Sequence, residues 1–229
     1  MMGLSHDEWQ VIALSCKIAL SSLTISILPA LLMGYVLARK EFFGKSLLET
    51  LVFLPLVLPP VVPGYLLLIT FGSQGVLGQY LAKIGMTLAF DWKGAVLASS
   101  VMGFPLMVQS VRLAIELVDR RLEIAGMTLG ASRLQVFFGI TLPLAKTGIL
   151  VGAMLAFCRS LGEFGATITF VGNIAGQTRT LPLAIYSLLQ QPNGDEKILR
   201  LMLISIAVAF VAMWLAQWYN RIQKTRLGR

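Results

Sequence analysis

Charge is scarce in this chain. Asp, Glu, Lys and Arg make up 13% of its 229 residues, about half the share of a soluble domain. His6 is the only histidine, so triads or metal sites built on histidine have nothing to work with. Cys16 and Cys158 lie in apolar stretches, with neither CxxC spacing nor a histidine nearby. They read as small buried hydrophobes rather than as a disulfide or metal ligands. No metal and no cofactor is expected. A complete P-loop is also missing. Gly44-Lys45-Ser46 supplies its last three residues, but Arg39 stands at the first glycine and an apolar run precedes it instead of a strand. HExxH, GxSxG and paired intramembrane aspartates are absent, which speaks against a membrane protease or esterase.

What the chain does have is apolar length. It is 56% hydrophobic with a mean hydropathy of +0.78, gathered into stretches near the roughly 20 residues that cross a bilayer. Five spans are predicted, at about 11–38, 51–70, 95–113, 142–161 and 201–218. The fold class is all-α: one polytopic transmembrane bundle over 1–229. The second span is rich in proline (Pro55, Pro59, Pro60, Pro63), and Pro105 lies in the third. Lys17 sits near one end of the first span, where its stem can snorkel. The N-terminal stretch has Asp7 and Glu8 but no basic residue before the apolar run. A cleaved signal peptide needs a basic leader, so the first span is expected to be retained.

The net charge of +8 does not indicate nucleic acid, because the cations flank apolar runs. Arg39, Lys40, Lys45, Arg120, Arg121, Arg133, Arg221, Lys224, Arg226 and Arg229 fall on one side, with Arg112 and Lys146 at its edge. Only Lys83, Lys93, Arg179, Lys197 and Arg200 fall on the other. The imbalance predicts an outside N-terminus, with loop 120–140 and the C-terminus in the cytoplasm. Residues 164–199 are then external and too long for a simple turn. They include an apolar stretch, Ile168–Val171, and a short helix expected over Leu181–Leu189, so part of the segment is a candidate for re-entry.

Loop 120–140 predicts a short helix, a glycine break and a second amphipathic stretch, with Pro143 opening the next span. Leu122, Ala125 and Leu129 share one face, and Gly130 ends the helix. From Gly130 the spacing runs back to Ile124-Ala125-Gly126 and forward to Ile140, Leu142 and Pro143. This resembles the signature loop of binding-protein-dependent ABC importer permeases: Glu-Ala-Ala, three residues, Gly, nine residues, Ile-x-Leu-Pro. Two positions depart from it. The glutamate slot holds Ile124, with Glu123 one residue earlier, and Gly126 replaces the second alanine. The resemblance implies a coupling helix that docks on a separate ATP-binding subunit, using Leu122, Glu123, Ala125, Gly126, Leu129, Gly130 and Arg133.

A narrower likeness lies further on. Arg159-Ser160-Leu161-Gly162-Glu163-Phe164-Gly165-Ala166-Thr167-Ile168, then Thr178-Arg179-Thr180-Leu181-Pro182-Leu183-Ala184-Ile185-Tyr186, is similar to the permeases for molybdate. Leu54-Pro55-Leu56-Val57-Leu58-Pro59-Pro60 fits the same group. Sulfate permeases share the Gly-Glu-aromatic-Gly stretch and differ after it. The resemblance implies a non-catalytic permease importing molybdate or tungstate across a bacterial inner membrane. Its implied partners are a second copy of itself, two ATP-binding cassette subunits and a periplasmic molybdate-binding protein, with lipid around it and no nucleic acid. A sulfate-type permease is the alternative. A secondary transporter is a weaker one, since no internal repeat is visible and five spans halve poorly.

Arg159 and Glu163 are four residues apart on one helix face, at a depth where ionisable groups usually face the protein interior. Two readings stand side by side. The pair can neutralise itself and fix the outer end of the fourth span, with Gly162 and Gly165 allowing close packing. Alternatively, Arg159 offers passing anions a transient positive site and Glu163–Phe164 forms part of an outer gate.

Overall fold

The computed structural model describes residues 5–191 and 195–227. The described secondary structure is entirely helical: α1 (His6–Arg39), α2 (Lys45–Val57), α3 (Val61–Phe71), α4 (Gly78–Lys83), α5 (Trp92–Glu116), α6 (Arg120–Thr128), α7 (Arg133–Val136), a π-helical turn (Phe137–Thr141), α8 (Leu142–Leu161), α9 (Gly165–Val171), α10 (Leu181–Leu189) and α11 (Asp195–Leu227). Four continuous helical runs are long and apolar enough to cross a membrane: His6–Arg39, Trp92–Glu116, Arg133–Leu161 and Asp195–Leu215. At 1.5 Å per residue α1 is about 51 Å long, well beyond the roughly 30 Å hydrocarbon core. Its start is held by a capping box, in which Ser5 Oγ accepts from the Glu8 N–H and Glu8 accepts from the Ser5 N–H.

α5 is the central post. Two-thirds of its most apolar stretch is buried, wrapped mainly by α1 and α8. Lipid is as apolar as leucine, so membrane helices associate by close packing of small residues rather than by hydrophobic exclusion. The contacts follow that rule. A Cβ built on Gly34 of α1 would lie 2.5 Å from Val111, one on Gly148 of α8 2.4 Å from Ala114 Cβ, and one on Gly152 2.7 Å from Ser110 Cβ. Ser100 Oγ on α5 donates to Val96 O at 2.7 Å and to Ser22 Oγ on α1 at 3.2 Å, so buried hydroxyls pair between helices. Gly148→Leu should therefore force α8 off α5. Overpacking of this kind costs about 1–3 kcal/mol, read as a lowered unfolding temperature of the detergent-purified protein.

The expected second span, 51–70, is not one helix. α2 and α3 meet at an angle of 110° across a break at Leu58–Pro60. The cause is in the sequence: Pro59 and Pro60 lack N–H donors, and a residue before proline is pushed out of the helical region. Leu58 accordingly sits at φ −69°, ψ 143°. The fourth span also differs. α8 spans Leu142–Leu161 with Pro143 in its first turn as expected, but the helical run into it starts earlier, at Arg133, capped by Ser132 and Gln135. The turn Phe137–Thr141 widens to π geometry, with the Leu142 N–H reaching back to Phe137 O. That extra residue lets the helix pass the missing N–H and the bulky ring of Pro143.

At the opposite end of the bundle, α9 is packed inside rather than lying on a surface. Ala166, Phe170 and Val171 are fully buried in a cluster with Ile18, Leu67, Ala95 and Met102. The expected helix Leu181–Leu189 is α10, with its Leu181 N–H on Ser15 Oγ at 2.8 Å. Lys17 places its ammonium 3.5 Å from the Trp92 ring centre, in a cation–π contact. α11 lies on the outside of the bundle against α8 and α10, with Leu201 buried beside Val11, Leu181 and Ala184 but only 6% of its apolar stretch buried, and Trp214 stacks on Trp218. The side chains of Tyr219, Arg221, Lys224 and Arg226, and all of Arg229, lie outside the described residues.

Candidate functional site: a clamped surface helix and two facing helix breaks

Two places carry the chemistry. The first is α6. Asp119 caps it, accepting from the Arg121 N–H at 2.9 Å. Its far end is a Schellman turn, in which the Gly130 N–H reaches Met127 O and the Ala131 N–H reaches Gly126 O. Gly130 supplies the left-handed residue that this turn needs, at φ +90°. No atom lies within 4 Å of a Cβ built there, so a side chain would meet strain in the backbone, not a clash. Gly130→Val should cost about 1–2 kcal/mol in that turn. Insertion should stay normal while any transport driven through α6 falls, read as uptake per membrane-inserted molecule.

The residues expected in the docking face divide in two. Leu122, Ala125, Leu129, Gly130 and Arg133 are exposed, Leu129 at 88%. Glu123 and Gly126 point the other way. A Cβ on Gly126 would lie 2.9 Å from Ile140 and 3.2 Å from Val136, so glycine here lets α6 lie against the following helix. Glu123 is clamped. Arg39, at the last turn of α1, places Nε 3.0 Å from Glu123 Oε2 and donates through Nη2 to Glu123 Oε1 at 3.1 Å. The same Nη2 donates to Val118 O at 2.9 Å, and Thr141 Oγ1 donates to Glu123 Oε1 at 2.6 Å. Both ion-pair side chains are nearly buried, 8% and 13% exposed. Thus α6 is fastened to α1 and to the π turn that leads into α8. Sequence reasoning missed Arg39 and Thr141 in this role. It also missed the exposed Ile124 and Met127, although their spacing of three is a legible amphipathic signal.

The second place is where two breaks in helices face each other. Gly162–Phe164 separates α8 from α9, and Leu58–Pro60 separates α2 from α3. A Cβ on Gly165 would lie 2.6 Å from Pro60 Cβ, and one on Gly64 2.6 Å from Ala166 O. Gly165 is therefore required by packing. Gly162 is not, because its nearest neighbour would be Cys158 O at 3.8 Å. Glu163 is 2% exposed. Its Oε2 lies 2.5 Å from Arg159 Nη1, and its Oε1 accepts the Ala166 N–H at 2.8 Å. The carboxylate satisfies an orphan donor in the first turn of α9 and suits the positive end of that helix. Arg159 remains 26% exposed. Phe164 packs on Tyr186, ring centres 5.1 Å apart, beside a cavity of about 570 Å³. No group of three or more His, Cys, Asp or Glu suited to a metal occurs among the described residues.

Residues 30–224 match the family described as binding-protein-dependent transport system inner membrane component. The chain is 52% identical over 229 residues, all of both chains, to the molybdenum transport system permease protein ModB of Escherichia coli (strain K12). To the sulfate transport system permease protein CysT of Salmonella typhimurium it is 37% identical over 204 residues, covering 83% of this chain and 74% of that one. Among solved structures, a bacterial ABC transporter involved in import of the acidic polysaccharide alginate matches with a TM-score of 0.72 at 20% identity, over 97% of this chain and 80% of that one. At that identity the likeness concerns the fold alone. With the helical bundle and the clamped surface helix, these matches show that the chain belongs to the family of inner membrane components of binding-protein-dependent transport systems.

Proposed function

We propose that this chain is the non-catalytic permease subunit of an ATP-driven importer, and that its cargo is molybdate or tungstate. The observation that carries the reading is α6: a short helix with an exposed apolar face, fixed to α1 by a nearly buried ion pair and to the π turn before α8 by the Thr141 hydroxyl. Such a helix can accept a push from an ATP-binding subunit and pass it to α1 and α8 as one body. The cargo assignment leans on the permeases the chain is similar to, with the molybdenum permease nearer than the sulfate one.

The working unit is two copies about a two-fold axis, with one ATP-binding subunit under each α6 and a binding protein on the far side. One copy leaves apolar surface open at the broken span, with Val57 at 82% and Tyr65 at 56% exposure, and a second copy would cover it. The facing breaks would form the gate region. There Arg159–Glu163 holds the end of α8 against α9, and the partly exposed Arg159 presents a cation to a passing dianion. Closure of the ATP-binding subunits would draw the two α6 helices together and open the path outward; hydrolysis would reset it.

This reading requires the end with Arg39, Lys40, Lys45, Arg120 and Arg133 to face the cytoplasm and the N-terminus to face the periplasm. The test is Ser132→Cys in a background with Cys16 and Cys158 replaced. An impermeant maleimide added to intact cells should leave residue 132 unlabelled and label it after permeabilisation. Labelling in intact cells overturns the orientation and the role of α6 with it.

A further inference from the structure

The end of the bundle that carries α6 also holds a basic pocket, built around the clamp that fastens that helix. It lies between the last turn of α1, α6 and the run from Arg133 to Thr141, with a volume of about 320 Å³. Arg39, Lys40, Arg120 and Arg133 line it, together with one carboxylate, Glu123. That carboxylate is already taken by Arg39 and Thr141. Arg120 donates one N–H to the Arg39 carbonyl at 3.1 Å. Among the described residues no carboxylate pairs with Lys40, Arg120 or Arg133. Three cations around one cavity are therefore without an ion-pair partner among the described residues; Glu41 acts on Arg120 only at longer range and is itself paired with Lys45.

Size and lining separate the candidate anions. The volume is about ten waters' share of the liquid, far more than the four oxygens of a bare tetrahedral oxyanion. Tyr35, Met127 and Phe137 give it apolar walls, which do nothing for a fully hydrated ion. An occupant with a negative phosphate and an apolar flank satisfies both halves. Close by, Leu117 (87%), Leu134 and Phe138 are exposed, as residues meeting a bilayer surface would be. We infer that this pocket binds the headgroup of an anionic phospholipid from the cytoplasmic leaflet, at the root of the coupling helix. Basic pockets at the cytoplasmic ends of membrane helices are suited to such headgroups. The inference rests on the orientation proposed above. Because Arg39 both lines the pocket and holds α6, lipid occupancy would stiffen the joint through which ATP binding acts.

The test uses the complete importer in nanodiscs of phosphatidylcholine alone or mixed with phosphatidylglycerol, together with native mass spectrometry. The variants are Lys40→Gln and Lys40→Gln/Arg120→Gln; the Lys40 side chain makes none of the described hydrogen bonds, and its backbone N–H on Val36 O is untouched by the change, so the single variant is expected to fold normally. The expected result is phosphatidylglycerol retained by the wild-type complex, about fivefold more weakly for each cation removed. Cargo-stimulated ATP hydrolysis should rise with phosphatidylglycerol in the wild type and not in the double variant. Equal retention by all three proteins overturns the inference. So does the same stimulation by inorganic phosphate in phosphatidylcholine discs, which would mark a soluble-anion site. Loss of the ATP-binding subunits from the Lys40→Gln complex overturns it too, marking a protein contact. Cargo-stimulated hydrolysis in phosphatidylcholine alone would leave the transport reading standing in each of those cases. Retained, cation-dependent lipid without any cargo response would sustain the site and count against the transport reading.

Discussion

Glu163→Ala should abolish uptake and sharply reduce the yield of folded protein. The change removes an acceptor that is 2% exposed and strands both Arg159 and the Ala166 N–H, its two partners. Breaking a buried ion pair by deleting one member costs about 3–5 kcal/mol. Arg159 keeps some access to water, with 26% of its side chain exposed, so the low end of that range, about 3 kcal/mol, is expected. Glu163→Gln keeps an oxygen for the Ala166 N–H but turns an amide NH2 toward Arg159 in place of the charged acceptor, so it should fold better than Glu163→Ala and transport poorly. Arg159→Ala/Glu163→Ala should recover folded yield relative to Glu163→Ala, since no unpaired charge then remains. Thermal unfolding and uptake measured side by side separate the two readings of the pair. If Glu163→Gln assembles fully and transports at the wild-type rate, the pair serves packing alone.

Arg39→Ala is the second large effect. It leaves Glu123 with Thr141 as its only side-chain partner among the described residues and frees the Val118 carbonyl. The loss, again about 3 kcal/mol for a nearly buried pair, falls on the joint and not on the bundle core. The complex should still assemble and hydrolyse ATP, but hydrolysis should no longer respond to cargo and uptake should fall at least tenfold. Arg39→Lys should rescue only part of this. A lysine has one ammonium where Arg39 sets Nε and Nη2 on the same carboxylate while Nη2 also reaches Val118 O, and the planar fork has no lysine equivalent.

Much of the fold was legible in the residues because membrane helices are written in long apolar runs. The schematic of α6 was also legible, since a helix, its glycine stop and the following run are local features: the turn at Gly130 forms at φ +90° as expected. What was not legible depends on contacts across the chain. Glu123 is read locally as part of a docking face, yet Arg39, 84 residues away, turns it inward. Pro143 is read as a helix start and does lie in the first turn of α8, but the widening at Phe137–Thr141 that carries the helical run on from Arg133 leaves no mark in composition. Pro59-Pro60 were read only as part of one proline-rich span; the break that they cause and its contact with Gly165 belong to the packing between α3 and α9. Gly162 shows the converse, a glycine in a suggestive motif that no neighbour requires.

The central claim is ATP-driven import of a tetrahedral oxyanion through a dimer of this chain. Proteoliposomes holding the chain, its ATP-binding subunit and the binding protein, with ATP inside, test it most directly by accumulation of labelled molybdate, tungstate, sulfate or phosphate. The account predicts ATP-dependent accumulation of molybdate and tungstate with little sulfate or phosphate, lost when the ATP-binding subunit is left out. Accumulation of sulfate but not molybdate would contradict the cargo, and uptake that persists without the ATP-binding subunit would contradict the mechanism itself.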